Sequence, residues 1–405
     1  MSSDLGTPLT SQRTGSSSLN ACYNVTNAFL GISLLTVPYA LSRGGWLSLV
    51  FFFLIAALTF YTGILLKRCM DADPSIRHYL DIAERAFGKR GRLIVSIIMS
   101  SELFLIGIGL LILEVDNLEK LFPHFALKIG TLIISGRCSF VIITALVILP
   151  SMLLSDLSIL SYVSAMGVFT CVVIVGSIFY VGALGGVGFQ AKGTWLNVDG
   201  IPTAVSLYIV CFGGHPAVPS IYISMRERCN FSKVLLSSYS LTTLTYMLTA
   251  VVGYLMYGDN VESQITLNLP SGEVGAKVAI YSTLLIPITK YALVITPVAT
   301  AFERELSTNY KNSRPLRMII RIVLLTSTAI VAHVFPYFEN LMAIIGSIFV
   351  VAASFVLPCL CYLKIAVSLN GWRSKFMGVV AIIVFGSVAG ILGTYSAFVD
   401  LLQNV

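Results

Sequence analysis

A break inside a long apolar segment is the feature that most constrains this chain. Residues 19–42 carry no charge, and they are long enough to cross a bilayer as a helix. Within them, Gly31, Ser33 and Pro38 all disfavour an unbroken helix. Hydrocarbon cannot satisfy the backbone N–H and C=O groups that a break sets free, so the break must face protein or a water-filled cavity. The sequence therefore predicts a polar site within the membrane.

A second interrupted segment lies far downstream. Residues 200–225 are uncharged apart from His215, and they contain Gly213, Gly214, Pro216 and Pro219. Paired interruptions of this kind are typical of secondary transporters, although either one alone is equally well explained as a kink. N–H groups at the start of a half-helix suit a carboxylate, and carbonyls at the end of one suit an ammonium. A zwitterionic amino acid offers both charges.

Composition places the chain among integral membrane proteins. It is 56% hydrophobic with a mean hydropathy of +0.88, and only 11% of its residues are charged, against about 25% in soluble domains. The net charge of +7 comes from basic residues in short loops, so it does not indicate a nucleic-acid partner. The eight cysteines include no CxxC pair, and we expect neither a metal site nor a cofactor.

Hydropathy predicts an all-α integral membrane protein with eleven transmembrane helices. The predicted spans are 20–41, 46–66, 93–113, 138–154, 158–183, 200–225, 234–258, 278–302, 322–338, 340–363 and 376–399. Residues 1–18 are rich in Ser, Thr and Gly and are predicted to be a disordered cytosolic tail. Residues 19–405 form the transmembrane domain. Most Lys and Arg residues lie in loops on the side of the N-terminus, which predicts a cytosolic N-terminus and a C-terminus on the opposite face.

Two charged residues lie inside predicted spans. Glu102 is in the third span and Lys290 in the eighth. Ionisable residues are rare within membranes, where they usually face the bundle interior and mark ion or proton paths. The sequence leaves two roles open for them, a proton-coupling pair or a buried ion pair that orders the bundle.

Several stretches together resemble the amino acid/auxin permease family, and within it the plant vacuolar amino acid transporters. The matching stretches are Asn27–Ala40, Gly44–Trp46, Phe60–Cys69, Tyr79–Gly88, Glu114–Leu118, Cys211–Pro216 and Thr289–Leu293. The resemblance implies a leucine-transporter-like fold built from a five-plus-five inverted repeat, with helices 1 and 6 broken at the site. It also implies proton-linked movement of amino acids, often across the vacuolar membrane. Ser33 departs from the family, which usually has glycine there.

The candidate substrate-binding residues are those of the two breaks and one residue a helical turn before the first. They are Asn27, Gly31, Ile32, Ser33, Leu34, Gly213, Gly214 and His215. The N–H groups of Gly31 to Leu34 are candidates to bind the substrate carboxylate, and the alternative is packing of small residues between helices. Asn27 either binds substrate or satisfies broken backbone. His215 either titrates or caps the broken helix.

These observations predict a secondary active transporter for neutral amino acids that works by alternating access. We expect it to be proton-coupled and independent of sodium, because Lys290 places a fixed cation in the helix that helps form a sodium site in sodium-coupled members of this fold. Its partners are then the amino acid, protons and the lipid bilayer. The vacuolar membrane is the expected location, with the plasma membrane as the alternative.

Two other classes of protein compete with this interpretation. An amino acid sensor, or transceptor, would use the same fold without significant turnover, but we expect a sensor to carry a longer cytosolic tail. An enzyme is not expected, since no metal-binding His/Glu motif, nucleophile elbow or phosphate loop is present.

Overall fold

The computed structural model describes residues 15–129, 132–153, 157–305, 313–365 and 372–404. The first helices are α1 (Ser18–Phe29), α2 (Ser33–Gly44), α3 (Leu49–Ala72), α4 (Tyr79–Leu121), α5 (Gly136–Leu153), α6 (Leu157–Leu184) and α7 (Ile201–Val210). They are followed by α8 (Val218–Ser224), α9 (Phe231–Tyr257), α10 (Ile265–Asn268), α11 (Val274–Glu305) and α12 (Arg314–Val334). The last are α13 (Phe338–Ile344), α14 (Leu357–Ile365) and α15 (Trp372–Asn404), and π-helical turns over Ile345–Val350 and Ala352–Val356 connect α13 to α14.

The predicted all-α class is confirmed for the membrane-spanning elements, and a small hairpin lies between two of the helices. The strands β1 (Leu127–Ile129) and β2 (Leu132–Ile134) pair antiparallel between α4 and α5, with Leu127 opposite Ile134. Both strands are short and rich in the branched residues that suit extended backbone. Elsewhere in the described residues the elements are helical.

The number of spans agrees with the prediction only in part. Nine helices of the described chain are long and apolar enough to cross a membrane, and the bent pair α1 and α2 makes ten. The predicted fourth span corresponds to α5, which has 18 residues, or about 27 Å at 1.5 Å per residue. That length falls just short of a hydrocarbon core of about 30 Å. Eleven spans therefore remain a prediction that depends on α5.

The N-terminal segment is attached to the end of α8. The Ser16 N–H donates to the Ser224 carbonyl at 2.8 Å, and the Arg226 N–H donates to the Ser16 carbonyl at 3.0 Å. The Ser17 hydroxyl caps α1 by accepting from the Asn20 N–H at 3.2 Å. These hydrogen bonds hold residues 16–18 in place. The predicted disorder of the tail stays a prediction for residues 1–14, which lie outside the described residues.

Helix α11 is central to the bundle. It packs against α6 and α4, while α2 packs against α7 and α9, and α1 packs against α9. A glycine on α6 makes one of these contacts possible, because a Cβ at Gly167 would lie only 3.0 Å from Cε of Lys290. The missing side chain leaves room for Lys290 to reach the interior of the bundle.

The π-helical segment also packs closely, against α7. A Cβ built on Gly346 would overlap the carbonyl oxygen of Ser206. A backbone oxygen cannot rotate away as a side chain can, so the overlap would force the two helices apart.

We therefore expect Gly346→Ala to destabilise the protein by about 1–3 kcal/mol, the usual cost of overpacking. Thermal unfolding of the purified protein in detergent measures this effect. Gly176→Ala is the matched control, because a Cβ there meets no atom within 4 Å. An unchanged unfolding temperature for Gly346→Ala would show that the two helices can separate at little cost.

Candidate functional site

The first break separates α1 from α2. Helix α1 ends at Phe29, α2 begins at Ser33, and the two axes differ by 55°. Leu30 leaves the helical conformation with φ −73° and ψ 116°. Among the described residues, the N–H groups of Ile32 and Ser33 have no backbone acceptor, so they remain available to an anion.

The second break separates α7 from α8. Helix α7 ends at Val210, and Cys211 and Phe212 form a turn. Gly213 and Gly214 follow this turn, and a short 3₁₀ turn over His215–Ala217 leads into α8. Proline lacks an N–H and is tolerated in a first helical turn, so Pro216 and Pro219 allow the helix to restart.

The two breaks contact each other. A Cβ at Gly214 would lie 2.8 Å from Cε1 of Phe29, which is the last residue of α1. Glycine at this position therefore allows the ring to approach the backbone of the second break. The Phe29 ring also meets the His215 ring edge-on, with 6.4 Å between the centroids.

A cavity of about 470 Å³ lies between the two breaks. Most of the predicted site residues line it, and these are Asn27, Gly31, Ile32, Ser33, Glu102, Gly213, Gly214 and Lys290. The cavity extends along α1 to Asn24 and along α8 to Ile221. Asn24 and Ala28 are exposed, so the cavity opens towards the face where α1 begins and α8 ends.

Two predicted site residues, Leu34 and His215, do not line the cavity. Leu34 is fully buried, and its N–H already donates to the Gly31 carbonyl at 3.1 Å. His215 is also fully buried, and its ring points to α3, where Nε2 donates to the Thr59 carbonyl at 3.1 Å. The Thr62 hydroxyl lies 2.9 Å from the same nitrogen. His215 therefore joins the second break to α3.

Lys290 reaches the first break directly. Its Nζ donates to the Leu30 carbonyl at 2.7 Å, at the end of α1 where the helix dipole is negative. Glu102 lines the same cavity from α4, but no ion pair among the described residues joins it to Lys290. The structure thus places the two intramembrane charges in one cavity without pairing them.

The apolar wall of the cavity was not predicted. Met99, Leu103 and Ile106 lie on the face of α4 that carries Glu102, at the spacing of successive helical turns. That spacing is readable in the sequence once Glu102 is known to face the cavity. Ile345 and Val350 come from the π-helical segment, which no pattern in the sequence predicts.

The fold is shared with a solved structure. The structure of MhsT in complex with L-phenylalanine aligns with a TM-score of 0.60, covering 95% of this chain and 99% of that chain, at 14% sequence identity. Together with the apolar spans and the central cavity, this likeness defines an α-helical membrane protein of the leucine-transporter-like fold class.

Sequence relatives identify the family. Residues 14–399 match the family described as transmembrane amino acid transporter protein. The amino acid transporter AVT1I of Arabidopsis thaliana is 45% identical over 397 residues, covering 96% of this chain and 97% of the relative. AVT1J of the same plant is 46% identical over 381 residues, covering 94% and 90%. The chain belongs to the transmembrane amino acid transporter family, which confirms the predicted family resemblance and the prediction that it is not an enzyme.

Gly31 offers a direct test of the cavity. A Cβ at this position would have one near neighbour, Nζ of Lys290 at 3.9 Å, so a side chain would fit the fold but project into the cavity. We expect Gly31→Val to be inserted normally and to reduce amino acid uptake at least about tenfold, because the branched side chain takes the space of a ligand.

Uptake into proteoliposomes at matched protein content measures this effect. Gly176→Val is the control, since it adds the same side chain to an exposed helical position with no atom within 4 Å. Normal uptake by Gly31→Val would remove Gly31 from the site.

Proposed function

We propose that the protein is a secondary active transporter that moves neutral amino acids by alternating access. The observation that carries the proposal is the cavity between the two breaks, where the N–H groups of Ile32 and Ser33 have no backbone acceptor. Helix N-termini of this kind suit the carboxylate of an amino acid. The substrate-binding residues are Asn27, Gly31, Ile32, Ser33, Gly213 and Gly214.

The proposal includes the finer architecture expected from the sequence. Eleven spans, with the two interrupted ones in corresponding halves, would form a five-plus-five inverted repeat, so that one half can rock against the other around the site. The excess of basic residues in loops on the N-terminal side supports a cytosolic N-terminus. The resemblance to plant vacuolar transporters supports the vacuolar membrane as the location.

Proton-driven uptake tests this function. Purified protein in proteoliposomes should accumulate labelled neutral amino acids faster when a pH gradient is imposed than when the gradient is collapsed with a protonophore. Liposomes without protein give the background. Saturable binding without any uptake would support the sensor alternative, because a sensor binds its amino acid without turnover.

Transport should not require sodium. The ammonium of Lys290 lies at the Leu30 carbonyl, so a second cation would meet a like charge at close range. Two unit charges 4 Å apart repel by about 4 kcal/mol at an effective dielectric constant of 20. We therefore expect equal initial rates when sodium is replaced by choline at constant ionic strength and pH. A clear loss of uptake in choline would contradict the idea that the Lys290 ammonium excludes sodium from this site.

Glu102 is the proposed proton-coupling residue, because it is the only acidic residue that lines the cavity within the described chain. At amino acid concentrations well above KM, we expect Glu102→Gln to lose acceleration by the pH gradient. Exchange of internal for external amino acid should survive, because exchange needs no net proton movement.

The matched control is Glu114→Gln, which removes a similarly buried carboxyl from the same helix but outside the cavity lining. If Glu102→Gln still accumulates amino acid against a gradient when driven by pH alone, the coupling residue lies elsewhere.

A further inference from the structure

Glu102 is a buried carboxyl that faces the cavity without a partner. Glu102 is 5% exposed, and none of the described residues donates a hydrogen bond to its side chain or forms an ion pair with it. Most buried polar groups in proteins are bonded, and a buried charge is costly unless it is paired. Because Glu102 lines the cavity, a ligand that carries the complementary charge would supply the missing partner.

The carbonyls of the first break are already engaged. Leu30 O accepts from Nζ of Lys290 at 2.7 Å, Phe29 O accepts from the Tyr246 hydroxyl at 2.7 Å, and Gly31 O accepts from an N–H of the next turn at 3.1 Å. Lys290 thus takes the position at the end of α1 that would otherwise suit the ammonium of a substrate. The N–H side of the same break stays open for a carboxylate at Ile32 and Ser33.

We propose that Glu102 binds the α-ammonium group of the substrate and so determines that the ligand is an amino acid and not a simple carboxylic acid. This inference rests on the proposed function, and it assigns the two charges of the zwitterion to separate elements. The carboxylate binds at the start of α2, and the ammonium binds on α4. Charge-assisted hydrogen bonds are among the stronger polar contacts that a protein makes.

The rest of the cavity selects the side chain of the ligand. Its wall is formed largely by apolar residues, among them Met99, Leu103, Ile106, Leu293, Ile345 and Val350. A cationic ligand side chain would meet the like charge of Lys290, and with Glu102 paired to the α-ammonium no second carboxylate of the described lining would be left for it. The apolar wall therefore favours an α-amino acid with a free amino group and an apolar side chain.

Ligand-dependent thermal stability tests the assignment without requiring transport, because a ligand that binds the folded state raises the unfolding temperature. The wild-type protein in detergent is first screened against the twenty amino acids. The most stabilising one is then compared with its analogue that lacks the amino group, which is 4-methylpentanoate if leucine stabilises best. We expect the wild type to bind the amino acid at least about tenfold more tightly than the analogue.

Removal of the carboxylate should abolish this preference. In Glu102→Gln we expect affinity for the amino acid to fall at least about tenfold, while affinity for the analogue stays constant or rises. Glu102→Asp keeps the charge and should retain a measurable preference for the amino acid. Glu114→Gln should behave as the wild type, since Glu114 is equally buried on α4 but does not line the cavity.

The outcomes separate this inference from the proposed function. If none of the twenty amino acids stabilises the wild type, the proposed function itself is contradicted. If amino acids bind but the wild type binds the analogue equally well, Glu102 does not hold an ammonium. An unchanged preference in Glu102→Gln would also overturn the inference, and it would place the ammonium at the carbonyls of the second break. Equal binding of the amino acid and the analogue by the wild type would overturn the inference even if a variant fails to fold.

Discussion

The structure depends on how a membrane helix can be interrupted at Leu30 without leaving its backbone unsatisfied. An unpaired carbonyl in hydrocarbon costs several kcal/mol, so each group released at the break needs a partner. The Tyr246 hydroxyl and the Lys290 ammonium supply two of them, from α9 and α11. At the start of α2, Ile32 and Ser33 line the cavity, and their N–H groups have no backbone acceptor among the described residues. In the proposed function these N–H groups bind the carboxylate of the substrate.

The surrounding helices are arranged so that these partners can reach the break. Helix α11 packs against α6, and the absence of a side chain at Gly167 leaves space for Lys290 to pass. Gly214 admits the Phe29 ring, which brings the two breaks together. His215 links the second break to α3 by bonding to the Thr59 carbonyl. Both breaks are therefore held by hydrogen bonds to helices that are far away in sequence.

The two charged residues of the cavity, Lys290 and Glu102, are used in different ways. Lys290 is committed to a backbone carbonyl, so its charge holds the break in shape, whereas Glu102 is left without a described partner. Two charges that would neutralise each other in an ion pair are instead kept apart. A zwitterion can complete this arrangement, because its two charges match the open N–H groups and the open carboxyl. The apolar wall then leaves little for a polar side chain to bond.

The amino-acid sequence by itself determined the membrane class, nearly all of the spans, both interruptions and the two rare charges within them. These properties are local, because apolar length, glycine, proline and charge act on the segment that contains them. The motif resemblance to the family was likewise readable from short stretches and is confirmed over residues 14–399. The conformation at Leu30 and the restart of the helix after Gly214 follow from the same local rules.

Only the tertiary structure decided which groups meet. Lys290 bonds to Leu30 and not to Glu102, His215 points away from the cavity, and the Leu34 N–H is used within its own turn. The π-helical segment that contributes Ile345 and Val350, and the hairpin before α5, also had no clear signal in the sequence. The physical reason is that partner choice depends on the rotation and crossing of helices far apart in the chain. The sequence allowed an ion pair between Glu102 and Lys290, but the direction in which each side chain points placed Lys290 on the Leu30 carbonyl and left Glu102 without a partner among the described residues.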